Sequence, residues 1–444
     1  MSMKKSKTER MESESIPKLI IGFSLSTFAA LVFNSLYIVI DALFVSRAVG
    51  DNAMGGVSLI LPFVVFQGAI ASAVGSGAAA VVSLELGKNN PKKAGNAAYN
   101  AMLIFYVSAA VITLIGFVAM EPTLRLLGVT DELYPAAKEY YTIVLAGNIF
   151  STGFSSVIRA EGKMTYALLI WVIPVSVNII LDAVFILAFG WGVVGSAAAT
   201  VICQITSASM SVLFFSKFTS LDFSKRCFSK TLCKDIVSIG IPSVVQVGSL
   251  SVLTLVVNNA VSTVSGTEGV NSFAYIGKII TFAVVPFTAF SMALAPVAGY
   301  NYGFGNRERV KKAFWFCTLS CFIYSILALI AMEFFSDFFI SVFTENKDTI
   351  EIASQGLKSV AFALPFSFLP LLTACLFQAR EKKLVPFMLY CITPASAAFL
   401  MKFFSVRSGL SGIWAAYVIS SVFSCAFSFT VLFIDLKNER KHEV

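Results

Sequence analysis

The sequence predicts an all-α polytopic membrane protein, with about 12 transmembrane helices in two pseudo-symmetric six-helix bundles that leave a central cleft between them. Three observations carry this expectation. Of the 444 residues, 57% are hydrophobic and only 13% charged, with 42 Phe, which is far more apolar than a soluble globular chain. Apolar runs of about 20 residues or more recur throughout. Several short motifs return about 217 residues after their first appearance.

The elements follow in order. Residues 1–16 are a polar, charged tail, and the apolar run that follows is too long, and too firmly succeeded by others, for a cleaved signal sequence; it is expected to stay as helix 1. The N-terminal bundle, 17–215, holds helices near 17–48, 54–86, 96–118, 133–158, 164–189 and 193–215. A charged, Ser-rich linker spans 216–234. The C-terminal bundle, 235–436, holds helices near 235–265, 271–302, 310–332, 349–377, 384–404 and 410–435, and 437–444 is a second tail.

Charge sets the orientation. With the N-terminus inside, about 25 Lys and Arg fall in inner segments against about 7 in outer ones, which places both termini in the cytoplasm of a plasma (inner) membrane protein. The net charge of +8 is then a topology signature, and no nucleic-acid partner is expected. None of the eight Cys falls in an outer loop, so no disulfide framework is implied, and Cys227 and Cys233 in the linker are too isolated for a zinc site.

The repeat is visible at three joints. Leu86–Ala94 after helix 2 matches Tyr302–Val310 after helix 8. Arg159-Ala-Glu-Gly-Lys163 matches Gln378-Ala-Arg-Glu-Lys-Lys383, and Gly192-Val-Val-Gly195 matches Gly409-Leu-Ser-Gly412. Each unit has six helices, so both copies enter from the same side, related by an axis along the membrane normal.

The copies differ where chemistry would sit. In Val177–Phe185 a carboxamide and a carboxylate interrupt an apolar run, and a central Asp costs about 2.5 to 3.5 kcal/mol to insert. The i, i+4 spacing puts Asn178 and Asp182 on one helix face. Asp182 lies about 10 Å from the outer end of its run, and Thr200 lies at the same depth in the next. Asn34, Tyr37 and Asp41 make one polar stripe on helix 1, with Asp41 again about 10 Å deep. Asp182 aligns with apolar Phe399 to Met401 in the second copy, and Asp41 with Asn258 or Asn259. Ion coupling through buried carboxylates therefore belongs to the N-terminal bundle. Interhelical hydrogen bonding, common for Asn, Thr and Tyr in membranes, is the plainer role for the neutral members.

These residues resemble the multidrug and toxic compound extrusion (MATE) transporters. The resemblance rests on Arg159–Lys163, Asn178–Asp182 and Gly190-Trp-Gly-Val-Val-Gly195–Thr200, on Ile40-Asp41-Ala-Leu-Phe-Val45, and on Ala295-Pro296–Gly303. It covers nearly the whole chain and is strongest to the DinF-like and MepA-like branches; the C-terminal acids of the NorM-like branch are absent. It implies a V-shaped exporter driven by a proton or sodium gradient, with Asp41 and Asp182 as coupling carboxylates and Tyr37, Asn178 and Thr200 as oxygen partners. The stretch Phe290-Ser-Met-Ala-Leu294 departs from the pattern of many members before the helix 8 Pro, so substrate preference does not carry over.

A carboxylic acid out of water holds its proton more tightly, and a neighbouring carboxylate strengthens that hold in one of the pair. The same oxygens suit a sodium ion at Asp41, Asn178, Asp182 and Thr200. No cofactor beyond the coupling ion is expected. The cleft is expected to be lined by Phe and Met, with Asn34, Gln67, Gln204, Gln246, Asn259 and Lys278 as polar guides for small-molecule drugs or toxic compounds. Lys278 either snorkels to the interface or meets anionic substrates. Glu85 is expected at the inner interface. Membrane lipids are the surrounding partners, and the chain is expected to act as a monomer. An alternative of the same superfamily is a lipid-linked oligosaccharide flippase, which calls for a more cationic cleft. No HExxH, Ser/His or Cys/His set supports an enzyme.

Overall fold

The computed structural model describes residues 9–48, 51–127, 129, 131, 133–151, 153–224, 226–344 and 347–442; within them, the side chains of 9–10, 36–56, 58, 267–268, 271, 348 and 439–442 lie outside the described residues. Ten described helices are long and apolar enough to cross a membrane, and the pair Thr349–Ala361 and Leu364–Ala379, bent by 51°, makes one further span. One of the ten, Leu384–Asn438, is 55 residues long, whereas a crossing needs about 20 residues. It breaks at Gly409, whose φ of 55° and ψ of −135° are not helical. Two spans therefore stand there, which brings the described spans to the dozen expected from hydropathy.

In chain order, α1 to α6 are Ile16–Ala48, Asp51–Gly87, Pro91–Val118, Tyr134–Ala160, Met164–Ala188 and Gly192–Lys217. Then come α7 (Lys230–Gly266), α8 (Ser272–Gly303), α9 (Arg307–Ser341), α10 (the bent pair), α11 (384–408) and α12 (410–442). The chain forms two compact units. The first is chiefly Leu25–Gly240, with Gly303–Gly305; the second is chiefly Ile241–Tyr302 and Asn306–Val444, with Glu14–Ser24.

In the first unit, Ile60, Leu124, Tyr141, Leu145 and Ala197 form a buried cluster, and Tyr141 meets Phe63 at 4.8 Å between ring centroids. In the second, Phe287 of α8 packs edge-on against Tyr324 of α9 and against Phe368 of α10.

The sequence repeat reappears as repeated backbone. After α2, Asn89 takes a left-handed φ of 56°, and the Asn90 side chain caps α3 by accepting from the Lys93 N–H at 3.2 Å. After α8, Gly305 takes φ 85°, and the Asn306 side chain caps α9 by accepting from the Arg309 N–H at 3.0 Å. Such caps satisfy an N–H that has no partner within its helix. Gly192 and Gly409, which open α6 and α12, take φ of 56° and 55°, a region where a side chain adds strain.

The segment between α6 and α7 is bound along its length to the first unit. The Asp222 N–H donates to the Pro91 carbonyl, and a Cβ on Gly95 would lie 2.2 Å from the Asp222 carbonyl oxygen, so only glycine lets the strands of chain approach this closely. Asn100, fully buried, donates to the Cys227 carbonyl at 3.0 Å and accepts from the Ser229 N–H at 2.8 Å. Asn96 accepts from the Cys227 N–H.

Candidate functional site

Helix α5 is α-helical from Met164 to Asp182 and then passes into a π-helical stretch, Ala183–Ala188. Single-turn π segments are rare, and they concentrate where a helix must re-aim side chains. Two features fix the geometry around it. Pro174 lacks the N–H that would bond one turn back, and Phe185 stacks on Trp191 at 4.8 Å as the chain turns into α6.

On this helix Asn178 and Asp182 are both fully buried, at 0% exposure. They lie one turn apart, as their spacing predicts. On α6, which packs against α5, Thr200, Cys203 and Gln204 follow at i, i+3 and i+4. Among the described residues, the Asn178 amide has no hydrogen-bond partner at either its oxygen or its nitrogen. The Thr200 hydroxyl and the Gln204 amide oxygen have none either. A buried polar atom without a partner costs about 1–3 kcal/mol, so these groups retain unused capacity to coordinate something small.

Asn178 and Asp182 thus share one face of α5, and Thr200 and Gln204 lie one turn apart on the adjoining α6. Gln67, on α2 of the same unit, is buried, and its amide nitrogen has no hydrogen-bond partner among the described residues. Asn34 is half-buried on α1. Tyr37 and Asp41 fall on α1, but their side chains lie outside the described residues. Gln246, half-buried, and Asn259, exposed, belong to the second unit. Lys278 is exposed there, with its ammonium over the rings of Tyr275 and Phe343. Among the described residues, no cluster of three or more His, Cys, Asp or Glu could hold a metal ion. A cation at α5 and α6 would thus rest on mixed amide, hydroxyl and carboxylate oxygens.

Three charged groups at the loop ends of the helices were not assigned roles from the sequence. Glu161, in the turn after α4, is fully buried; it accepts from the Thr219 hydroxyl at 2.8 Å, the Ser220 N–H at 2.6 Å and the Ser220 hydroxyl at 2.7 Å. Burial raises its carboxyl above the usual value of 4.5, with the Ser220 and Thr219 hydrogen bonds and Lys163 pulling the other way. Glu85, near the end of α2, is buried, held by Lys88 at 2.9 Å and Lys93 at 3.1 Å. Arg380 pairs with Asp435 at 2.6 Å, with its side chain only 6% exposed. A charged residue within a motif repeated at the next copy was the available signal for Glu161 and Arg380.

Comparison with known proteins places the whole arrangement. The protein-family model described as MatE matches residues 26–184 and 242–402, one match in each repeat. The "Probable multidrug resistance protein YpnP" of Bacillus subtilis is 24% identical over 359 residues, covering 79% of each chain. The "Multidrug export protein MepA" of Staphylococcus aureus (strain MSSA476) is 21% identical over 445 residues, covering 99% of this chain and 98% of its own. Among solved structures, a MATE protein in complex with MaL6 superposes with a TM-score of 0.91 at 22% identity, over 99% of this chain and 100% of its own. A MOP superfamily transporter from Pyrococcus furiosus, described as having a binding pocket of reverse polarity that suggests a different function, gives 0.89 at 22% identity, over 98% and 99%.

Proposed function

The chain belongs to the MatE family, a family of membrane transporters, and from that premise we propose that it is a secondary active multidrug exporter. In this reading it exchanges a proton or sodium ion for amphipathic, often cationic small molecules by alternating access. The printed names of YpnP and MepA support the substrate class.

The observation that carries the coupling step is on α5, where a fully buried Asp182 lies one turn from an Asn178 amide whose two polar atoms have no hydrogen-bond partner among the described residues. A proton on the carboxylate, or a sodium ion among the oxygens of Asp182, Asn178 and Thr200, with Asp41 on α1, would meet that unused capacity. Ion binding from outside would reshape α1 and release substrate outward; ion loss to the cytoplasm would reset the inward-facing state. One charge crossing 100 mV is worth about 2.3 kcal/mol, enough for about fiftyfold accumulation. The excess of Lys and Arg in alternate loops supports cytoplasmic termini and a plasma-membrane location.

The test is reconstitution in vesicles under an imposed pH or sodium gradient, following efflux of a fluorescent cationic dye in wild type, Asp41→Asn and Asp182→Asn. Efflux driven by one gradient in the wild type and lost in both folded variants supports the reading and names the ion. Equal dye movement in the variants removes Asp41 and Asp182 from coupling, and movement of lipid-linked oligosaccharide alone favours a flippase.

A further inference from the structure

In the second unit a cavity of about 590 Å³ opens between α8 and α9, within the range of about 300–1,000 Å³ typical of ligand pockets. Ile279 and Phe282 of α8 form one wall; Leu327 and Ala331 of α9, with Val342 and Phe343 just beyond it, form the other. Every lining residue is apolar or aromatic.

The direction of its mouth follows from α9. In α9 before its break at Phe335, Leu319, Ile323, Leu327 and Phe334 are exposed and recur at helical spacing along one face, and Leu327 also lines the cavity. Such an apolar face on a membrane-spanning helix meets hydrocarbon rather than water. The cavity therefore opens to the bilayer.

One end of it carries a charge. The Lys278 ammonium lies 5.4 Å from the Phe343 ring centroid and 5.7 Å from that of Tyr275, contacts that hold it beside the cavity wall. No ion pair of a described residue uses it. It sits about 10 Å into the span that starts at Ser272, near enough for its chain to place the charge at headgroup level. An apolar slot open to lipid, with a cation at its interfacial end, matches a molecule with a hydrocarbon tail and an anionic head.

We propose that this groove binds one acyl chain of an anionic phospholipid, with Lys278 holding the phosphate-bearing headgroup. With both termini cytoplasmic, the lipid lies in the outer leaflet. The site lies on other helices than Asn178 and Asp182, and its occupancy needs no gradient.

The experiment is photolabelling in vesicles with phosphatidylglycerol or phosphatidylcholine carrying a diazirine on one acyl chain, followed by peptide mapping. Phosphatidylglycerol should label the 319–343 segment about fivefold more than phosphatidylcholine, the effect of one interfacial cation. Lys278→Glu should remove that preference and Lys278→Arg keep it. Ala328→Trp should fill the slot and reduce labelling by both lipids. Equal labelling by the two lipids in the wild type, an unchanged preference in Lys278→Glu, or undiminished labelling in folded Ala328→Trp would each overturn the proposal. Dye efflux, read separately, bears on the transport reading and leaves this result untouched.

Discussion

At the end of α4 a buried carboxylate, Glu161, takes hydrogen bonds from Thr219 and Ser220 beyond α6, whereas at the matching end of α10 a buried guanidinium, Arg380, pairs with Asp435 in α12. Each is followed by a left-handed residue, Gly162 at φ 73° and Glu381 at φ 59°. The second pair of joints repeats the pattern. Glu85 is held by Lys93 in one copy, and Asn301 accepts from Arg309 at 3.1 Å in the other. The joints keep their geometry while their chemistry changes, because each polar group is compensated by a partner that changed with it. The buried Asp182 has no counterpart carboxylate, since its equivalents Phe399 to Met401 are apolar. A charge inside the membrane is costly to insert.

That contrast can be broken most severely at Asp182. Asp182→Asn should reduce gradient-driven dye accumulation from about fiftyfold at 100 mV to none, measured in vesicles. Next, Asp435→Ala leaves Arg380 buried without its anion and should cost about 3–5 kcal/mol, read by unfolding in detergent. Glu161→Ala strips the acceptor from three donors, but Ser220 is exposed and water recovers part of the loss, so about 2–3 kcal/mol is expected in the same assay.

The copies should also differ in pH response. An acid raised in the folded state contributes stability that is fully present below its ordinary value and lost as pH rises through the folded value. Wild type should therefore lose stability relative to Glu161→Gln as pH rises from 4.5, and a flat difference across the titration refutes the assignment. The smallest effects belong to the caps: Asn90→Ala and Asn306→Ala should each cost about 1 kcal/mol and match one another, and a clear inequality would show that the repeated turns are not energetically equivalent.

Much of this was legible in the sequence because it is periodic or local. Hydropathy marks the spans, and the 89–93 and 305–309 turns show themselves as Asn and Gly at matching positions. Asn178 and Asp182 share a face by spacing alone. Contacts between residues distant in the chain were not legible. Nothing near Glu161 announces Thr219 and Ser220, nothing near Lys278 announces Phe343, and nothing in Ala183–Ala188 announces a π-helix. Those outcomes are decided by packing against other helices, where single-sequence patterns carry no signal. The side chains of Tyr37 and Asp41 lie outside the described residues, so their place on the α1 stripe stays an expectation from spacing.

The stitching of the α6–α7 segment onto α3 bears on biogenesis. A nascent chain that has reached only Lys217 lacks the Thr219 and Ser220 donors of the buried Glu161 and the Cys227 and Ser229 partners of Asn100, whose amide keeps only its bond to Asn96. Once Ser229 has left the ribosome, both are supplied by the chain itself. The first half can then lock its loop end during translation, before most of the second half exists.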